Sequence, residues 1–231
     1  MTVKLWNEDK KEDVKRIFKY SIKYTLMFAI PAAFGLSILG KPFLTKFTTA
    51  EFATGYYLIP LVASGYIFFM IAGRAEYVFS LVQKTKFTAI ILTAACVENI
   101  ILNALLIPRL GIAGAAIATT VTFLTEMIAS IIVSSRYFPI DYSVKFILKS
   151  LGASSIMGLA VWWYNPVSVV DIILGAFLGA VIYFFILLVL RGFTRAEAEF
   201  FIDFIPGAKV KDWFAGSGVC KACIKQKGKI K

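Results

Sequence analysis

The sequence predicts an all-α integral membrane protein, a bundle of six transmembrane helices with both termini in the cytoplasm. Of its 231 residues, 59% are apolar and 17% are charged, and the mean hydropathy is +0.77. A soluble domain has roughly 45–50% apolar and 25% charged residues. The apolar residues also fall into six long segments, and the basic residues alternate in density between the connecting segments. These observations exclude a soluble globule.

Each of the six apolar segments is long enough to cross a hydrocarbon core about 30 Å thick, which takes about 20 helical residues. Each is bounded by charges or by turns that contain Pro or Gly. Because a polar stretch of about twenty residues precedes the first segment, we expect a retained span rather than a cleaved signal peptide. The predicted spans are residues 23–40, 57–83, 87–108, 112–135, 146–164 and 172–190.

The basic residues predict the orientation of the bundle in the cell membrane. Of the 25 Lys and Arg residues, 21 lie on segments that share one side, 3 lie on the other side, and Arg74 lies inside the second span. Because cytoplasmic segments carry an excess of Lys and Arg, both termini are predicted to be cytoplasmic. Topology therefore explains most of the net charge of +11. As no nucleic-acid motif accompanies this charge, nucleic acid is excluded as a partner.

The segments that flank the bundle are predicted to lie on the cytoplasmic side. Residues 1–22 form a basic amphipathic lead-in, either a helix in the membrane interface or a flexible linker. After the last span, Thr194 and Glu197 have the spacing of a capping box, which predicts a short juxtamembrane amphipathic helix over residues 191–207. Residues 208–231 form a basic tail, predicted to be disordered and to lie along an anionic leaflet.

Charged side chains inside the spans are costly and are therefore functional candidates. Four of them fall in one layer of the cytoplasmic half, and Asn and Thr residues add polar atoms to the same helix faces. One interpretation is structural, with Arg74 and Glu98 paired across a tight hairpin and the amides and hydroxyls joining helices. In the other, the layer lines a water-filled path in which Glu126 or Glu98 binds H⁺ or Na⁺ and Arg74 faces an anionic substrate group. The candidates are Arg74, Glu76, Glu98, Asn99, Asn103, Thr119, Thr122 and Glu126.

Several Gly and Pro residues are candidates for close helix packing or for bending. Gly111 and Gly114 begin a smooth face on the fourth span, and a GxxxG motif in the sixth span favours close approach, within the bundle or between two copies. Prolines in the first two spans, each followed by a glycine, predict kinks at which a transporter bends. The set is Pro31, Gly35, Pro60, Gly111, Gly114, Gly175 and Gly179.

Residue types and motifs argue against an enzyme and against a bound cofactor. The chain has no His, which excludes an imidazole base and a His-ligated metal. Cys220 and Cys223 form a CxxC motif, but no second pair completes a zinc site. They are either free thiols or a half-site shared by two chains. No nucleophile elbow or phosphate-binding loop occurs, so we predict no catalytic residue, no metal site and no cofactor.

The hairpin between the third and fourth spans has the sequence NIILNALLIPRLGIAGAAIAT over residues 99–119. It resembles the corresponding hairpin of the polysaccharide (O-antigen type) flippases, in the multidrug/oligosaccharidyl-lipid/polysaccharide exporter superfamily. The resemblance extends over residues 14–206 and implies the C-terminal lobe of a MATE-like flippase fold. It further implies export of lipid-linked oligosaccharides, carried on a polyprenyl phosphate or pyrophosphate, by alternating access of two lobes.

The family uses about twice as many spans as this chain has, so the resemblance implies a partner. That partner is either a missing N-terminal half or a second copy of the chain. Two alternatives to a lipid-linked polysaccharide flippase remain open. Glu98 and Glu126 would suit a cation-coupled multidrug extruder of the same superfamily, and the chain alone would suit a non-transporting membrane-interaction module.

Overall fold

The computed structural model describes residues 2–49, 53–190 and 192. The helices are α1 (Thr2–Asn7), α2 (Lys11–Phe47), a 3₁₀ turn (Thr54–Leu58), α3 (Ile59–Leu81), α4 (Lys86–Leu110), α5 (Ile112–Ser135), α6 (Val144–Tyr164) and α7 (Val169–Val189). Six of these helical segments are long and apolar enough to cross a membrane, with the 3₁₀ turn extending α3 at its start. The prediction of six transmembrane helices is therefore confirmed.

The chain divides into two units, Met1–Leu187 and Leu188–Lys231. The first unit contains nearly all of the six membrane-crossing helices. The second unit is described only at residues 188–190, at the end of α7, and at Gly192. The predicted juxtamembrane helix, Gly192 apart, and the predicted disordered tail with Cys220 and Cys223 lie outside the described residues.

Helix α2 begins at Lys11, well before the predicted start of the first span at Lys23, and continues to Phe47. Glu12 and Asp13 lie in its first turn, where negative charge is favourable at a helix N-terminus. Much of the predicted lead-in is thus the first part of a long helix. Its apolar side chains pack against the end of α3 and the α5–α6 connection, in a cluster of Val14, Phe18, Val78, Leu81 and Phe138. The apolar side chains of the lead-in are thus buried against protein.

The six long helices pack in a sequence that differs from their order in the chain. Helix α5 packs against both α3 and α4, while α2 packs against α3 and α6. Helix α7 packs against α2 and α6 through a buried cluster that includes Met27, Met157 and Tyr183. The Tyr183 hydroxyl donates to the Met27 carbonyl at 2.9 Å and lies 2.9 Å from the Ser150 hydroxyl. This polar contact joins three helices inside an apolar core.

The α4–α5 hairpin depends on two of the predicted packing glycines. Gly111, between the helices, has φ +57° and ψ −135°, a backbone conformation that side chains other than Gly strongly disfavour. A Cβ atom at Gly114 would overlap the Leu106 carbonyl and lie 2.9 Å from the Ile107 nitrogen. The two helices therefore cross backbone to backbone.

The other predicted packing and bending residues differ from one another in their surroundings. Gly179 lies against Val161 of α6, where a Cβ would be 3.1 Å away, and Gly175 has ordinary space beside Tyr164 and Leu39. The GxxxG motif thus faces helices of the same chain.

Of the predicted bending residues, Pro31 lies inside α2, and Gly35 has nothing within 4 Å of a Cβ position. Pro60 lies in the first turn of α3, where a missing N–H costs little, so it starts the helix and produces no kink.

The connection between α5 and α6 carries an ion pair that makes stability depend on pH. Lys19 Nζ donates to Asp141 Oδ2 at 2.6 Å, and the Ser143 N–H donates to Oδ1 at 2.8 Å. The ammonium and the N–H lower the pKa of Asp141 below its ordinary value. A carboxyl whose pKa is lower in the folded state stabilises above its unfolded pKa of about 3.9, and this stability is lost as the pH falls through the folded pKa.

We expect Asp141→Asn to lower the free energy of unfolding at pH 7 by up to about 1 kcal/mol, because the pair is exposed. The difference from wild type should vanish when Asp141 is protonated in acid. Thermal unfolding of the two purified proteins between pH 7 and pH 3 measures this, with Glu12→Gln as a control for an exposed pair within one helix. A difference that stays constant over the whole pH range would contradict the prediction.

Candidate functional site

Arg74 lies on a stripe of α3 that the packed helices leave exposed. Helix α3 buries Ala72, Ala75, Val78 and Phe79, while Arg74 and its neighbours one turn away remain exposed. We call these exposed residues the Arg74 stripe; they are Tyr66, Met70, Gly73, Arg74 and Tyr77. Residues three and four positions apart share a helix face, so the stripe is continuous along the helix.

The Arg74 guanidinium donates one hydrogen bond, to Thr25 Oγ1 of α2 at 3.3 Å. In the described part of the chain the ion pairs join residues near the N-terminus or link Lys19 to Asp141, and none includes Arg74 or Glu98. The predicted Arg74–Glu98 pair is therefore wrong. Helix α5 packs extensively against both α3 and α4, which contact each other little. The short turn makes α3 and α4 consecutive in the chain, but the two helices do not pack against each other along their length.

Glu98 belongs instead to a polar seam between α4 and α5. Its carboxylate accepts a hydrogen bond of 2.6 Å from Thr125 Oγ1. The Asn103 amide donates to Asn99 Oδ1 at 2.8 Å, and the Asn99 amide donates to Thr122 Oγ1 at 3.3 Å. The structure thus brings four of the predicted candidates into this seam. Thr119 is half-buried beside them, and no hydrogen bond to its side chain occurs among the described residues.

Glu98 also borders an open groove of about 750 Å³ on the outer face of α4. Thr93 and Glu98 are its polar residues, and the other lining side chains are apolar. All of the lining residues come from α4: Ala89, Ile90, Thr93, Ala94, Val97, Glu98, Ile101 and Leu102.

Glu76 and Glu126 lie together between α3 and α5. The Ser130 hydroxyl donates to Glu76 Oε1 at 3.0 Å, and Ser130 is one turn beyond Glu126 on α5. Glu126 is buried, with 5% of its surface exposed. The layer predicted from the sequence is thus three separate groups, one around Arg74, one around Glu98 and one around Glu126.

Sequence reasoning missed several polar side chains that the structure places at these groups. Thr25, Thr125 and Ser130 each hydrogen-bond to a predicted residue. The i, i+4 spacing of Glu126 and Ser130 is a signal that could have found Ser130. Lys23, the first residue of the first predicted span, is buried on α2 with its ammonium 4.6 Å from the centre of the Phe146 ring. Its position at the edge of the first apolar segment gave no sign of burial.

The charged and sulfur-bearing side chains of the described residues include no group of three or more that could hold a metal ion. Cys96 is an exposed free thiol on α4. The membrane-crossing helices therefore carry a cation, Arg74, on one helix face and carboxylates, around Glu98 and Glu126, on two others.

A protein-family model described as "Lipid II flippase MurJ" matches residues 4–184. The chain belongs to the MurJ family. The match includes all six membrane-crossing helices except the end of α7, and so the Arg74, Glu98 and Glu126 groups lie within it.

Two further proteins resemble this MurJ-family chain. The "Probable low-salt glycan biosynthesis flippase Agl15" of Haloferax volcanii is 23% identical over 216 residues, which are 88% of this chain and 44% of that protein. A solved structure described as "Lipid II flippase MurJ, inward closed conformation" superposes with a TM-score of 0.69 at 21% identity, over 82% of this chain and 41% of that one. The superposition on the solved structure shows that the fold of this chain is MurJ-like. The chain spans less than half the length of either protein.

The MurJ family is a family of lipid-linked glycan flippases, which are membrane transporters. The predicted resemblance to flippases is confirmed at this level, and the narrower O-antigen type is not supported. Small residues such as Gly and Ala are favoured wherever two helix backbones approach closely. The 99–119 motif therefore distinguishes poorly among flippases that share the fold.

Proposed function

We propose that this chain forms one lobe of a flippase for lipid-linked oligosaccharide or polysaccharide precursors in the cell membrane. In this proposal the substrate is carried on a polyprenyl phosphate or pyrophosphate and moves from the inner to the outer leaflet. The observation that carries the proposal is Arg74, an exposed cation inside a span with no carboxylate partner among the described residues.

An exposed Arg side chain inside a span is unfavourable against lipid, at a cost of about 2.5–3.5 kcal/mol or more at the helix centre. We therefore infer that the Arg74 stripe faces water and substrate. Helix α7 offers a contrast within the same chain, because its exposed side chains Phe177, Val181 and Phe185 are apolar. That face suits acyl chains, whereas the exposed face of α3 carries Arg74 and two Tyr hydroxyls beside the apolar side chains Phe69 and Met70, and so offers polar groups to a path.

A guanidinium is well matched to a phosphate group, because its planar donors bind two phosphate oxygens at once. Arg74 lies seven residues before the end of α3 at Leu81, which is about 10 Å along the helix. That end carries Lys84 and Lys86 in the turn to α4, and we place it on the cytoplasmic side. Arg74 would then meet the phosphate of a substrate that enters from the inner leaflet.

A path needs walls on all sides, and the described helices supply one side of it. We propose that another set of spans faces the Arg74 stripe, either an N-terminal half or a second copy of this chain. The relatives favour lipid-linked glycans over multidrug extrusion and over a non-transporting module.

Binding of a photoreactive lipid-linked oligosaccharide to the purified chain tests the proposal without requiring the second set of spans. We expect crosslinking that polyprenyl pyrophosphate competes away and that uncharged polyprenol does not. Flipping of the same labelled lipid in liposomes, with the chain alone and with a co-expressed partner, then tests transport. Equal competition by polyprenol, or no crosslinking at all, would contradict a phosphate-binding site.

A further inference from the structure

A stripe of buried polar side chains runs along α5 toward the α5–α6 connection. Thr122, Glu126, Ser130 and Ser134 are spaced four residues apart and are all at least nine-tenths buried. Side chains with this spacing lie one above the other on a helix, with Cβ atoms about 5–6 Å apart. Three of the four are hydroxyls, and the carboxyl of Glu126 is the titratable group among them.

Glu126 is 5% exposed and has no hydrogen bond or ion pair among the described residues. Across the helix interface, Glu76 accepts the Ser130 hydrogen bond, and Ser130 lies one turn beyond Glu126 on α5, so the two acidic residues are neighbours between α3 and α5. A buried carboxyl with no partner is costly as an anion. With a second carboxyl beside it, the low dielectric disfavours charge on both at once.

The neighbouring charged groups do not neutralise this pair. Arg74 of α3 points toward Thr25 of α2, on a different face of α3 from Glu76. Glu98 of α4 is bound by Thr125, on the side of α5 that faces α4. From α3, α4 and α5 together, the group that faces Glu126 is therefore another acid.

The polar stripe continues to the end of the bundle that carries Lys84 and Arg136. Ser134 lies two turns beyond Glu126, about 12 Å along α5. The Ser134 hydroxyl donates to the Ile131 carbonyl at 3.2 Å, and beyond α5 Asp141 is exposed in the connection and paired with Lys19. Ser130 and Ser134 therefore extend the polar stripe from Glu126 toward the exposed connection at this end.

We propose that Glu126 is a proton-binding residue, with Glu76 and Ser130 as its neighbours and with the buried polar stripe of α5 extending from it toward the water at the basic end. The Glu126 carboxylate takes one proton from that water and becomes a neutral acid, able to donate to the Glu76 carboxylate. Release of the proton to water restores the negative charge. A role for Glu126 in coupling proton movement to transport rests on the proposed function, whereas proton binding by Glu126 does not.

A proton suits the site better than a metal ion. Hard cations such as Ca²⁺ and Mg²⁺ prefer about six or more oxygen ligands, and the described residues hold no cluster of three or more metal-binding side chains. Here two carboxyls and a hydroxyl already committed to Glu76 are available.

Infrared difference spectroscopy of the full chain in liposomes tests this proposal. We expect a carboxylic-acid C=O band that disappears as the pH is raised and is absent from Glu126→Gln. The band should shift in frequency in Ser130→Ala, through the bond to Glu76. Glu98→Gln is the matched control inside the membrane, and we expect it to keep the band.

Three results would overturn the proposal: no titrating band in wild type, an unchanged band in Glu126→Gln, or a band that responds to Na⁺ at constant pH. Elution of each variant as a single species from a sizing column shows that it is folded.

If Glu126 titrates but lipid-linked sugar neither binds nor flips, the transport function fails and the proton site stands. If binding and flipping occur without a titrating band, the proton site fails and the function stands.

Discussion

Arg74→Ala is expected to abolish flipping and to weaken crosslinking of the photoreactive lipid-linked oligosaccharide by about 30-fold or more. Loss of one partner from a desolvated, hydrogen-bonded charge pair costs roughly 2–5 kcal/mol, and about 1.4 kcal/mol corresponds to a factor of ten. The variant should still fold, because Arg74 is exposed and makes a single hydrogen bond, of 3.3 Å, to the part of the chain that the structure describes. Initial flipping rates and crosslinking yields, compared at equal protein in the membrane, measure the effect.

Two matched variants separate charge from geometry at this position. Arg74→Lys keeps a cation but loses the planar fork, so we expect intermediate binding. Arg109→Ala removes an exposed arginine from the last turn of α4, away from the Arg74 stripe, and should behave as wild type. If Arg74→Ala and Arg109→Ala are equally active, Arg74 does not contact the substrate.

Gly114→Ala is expected to have the largest effect on folding of any single methyl addition considered. The new Cβ would lie 2.6 Å from the Leu106 carbonyl carbon and 2.9 Å from the Ile107 nitrogen. Both are backbone atoms, and they cannot move without opening the α4–α5 hairpin. Overpacking in a core typically costs about 1–3 kcal/mol, and we expect the upper end or more here. Thermal unfolding and the yield of monodisperse protein measure the loss.

Gly152→Ala is the matched control, since Gly152 lies inside α6 with nothing within 4 Å of its Cβ position. Alanine is favoured over Gly inside a helix by about 0.5–1 kcal/mol, so this variant should be as stable as wild type or more stable. Equal unfolding temperatures for the two variants would show that the α4–α5 crossing has room for a methyl group.

The six transmembrane helices could be predicted because composition and length decide whether a helix crosses a membrane. The pairs of helices that pack together could not be predicted, because packing depends on side chains that are far apart in the chain. Gly65 of α3 illustrates this, since its Cβ position lies 3.3 Å from the Thr120 backbone and Thr120 Oγ1 donates to the Leu61 carbonyl at 3.1 Å. This close crossing packs α3 against α5. The predicted pairing of Arg74 with Glu98 failed for that reason.

The candidate residues were found because a charge inside an apolar segment is conspicuous in a sequence. Their partners were harder to find, since Thr25 and Thr125 are ordinary residues that gain a role only from the helix opposite. Lys23 and Tyr183 show the same limit, because burial between α2, α6 and α7 is decided by packing and leaves no mark in local spacing. The family was predictable to the level of flippases, because the 99–119 hairpin resembles that of known flippases.

The proposed function requires that the Arg74 stripe face water and the phosphate of a lipid-linked substrate. Labelling of single cysteines with a membrane-impermeant thiol reagent tests this in a chain whose 3 native cysteines are replaced. Met70→Cys lies one turn from Arg74 on the stripe and keeps the arginine, while Phe185→Cys lies on the exposed apolar face of α7.

We predict that Met70→Cys is labelled in vesicles, that lipid-linked oligosaccharide protects it, and that Phe185→Cys stays unlabelled. If Met70→Cys is as unreactive as Phe185→Cys, or if substrate leaves its labelling unchanged, the stripe faces lipid and the proposed substrate path is wrong.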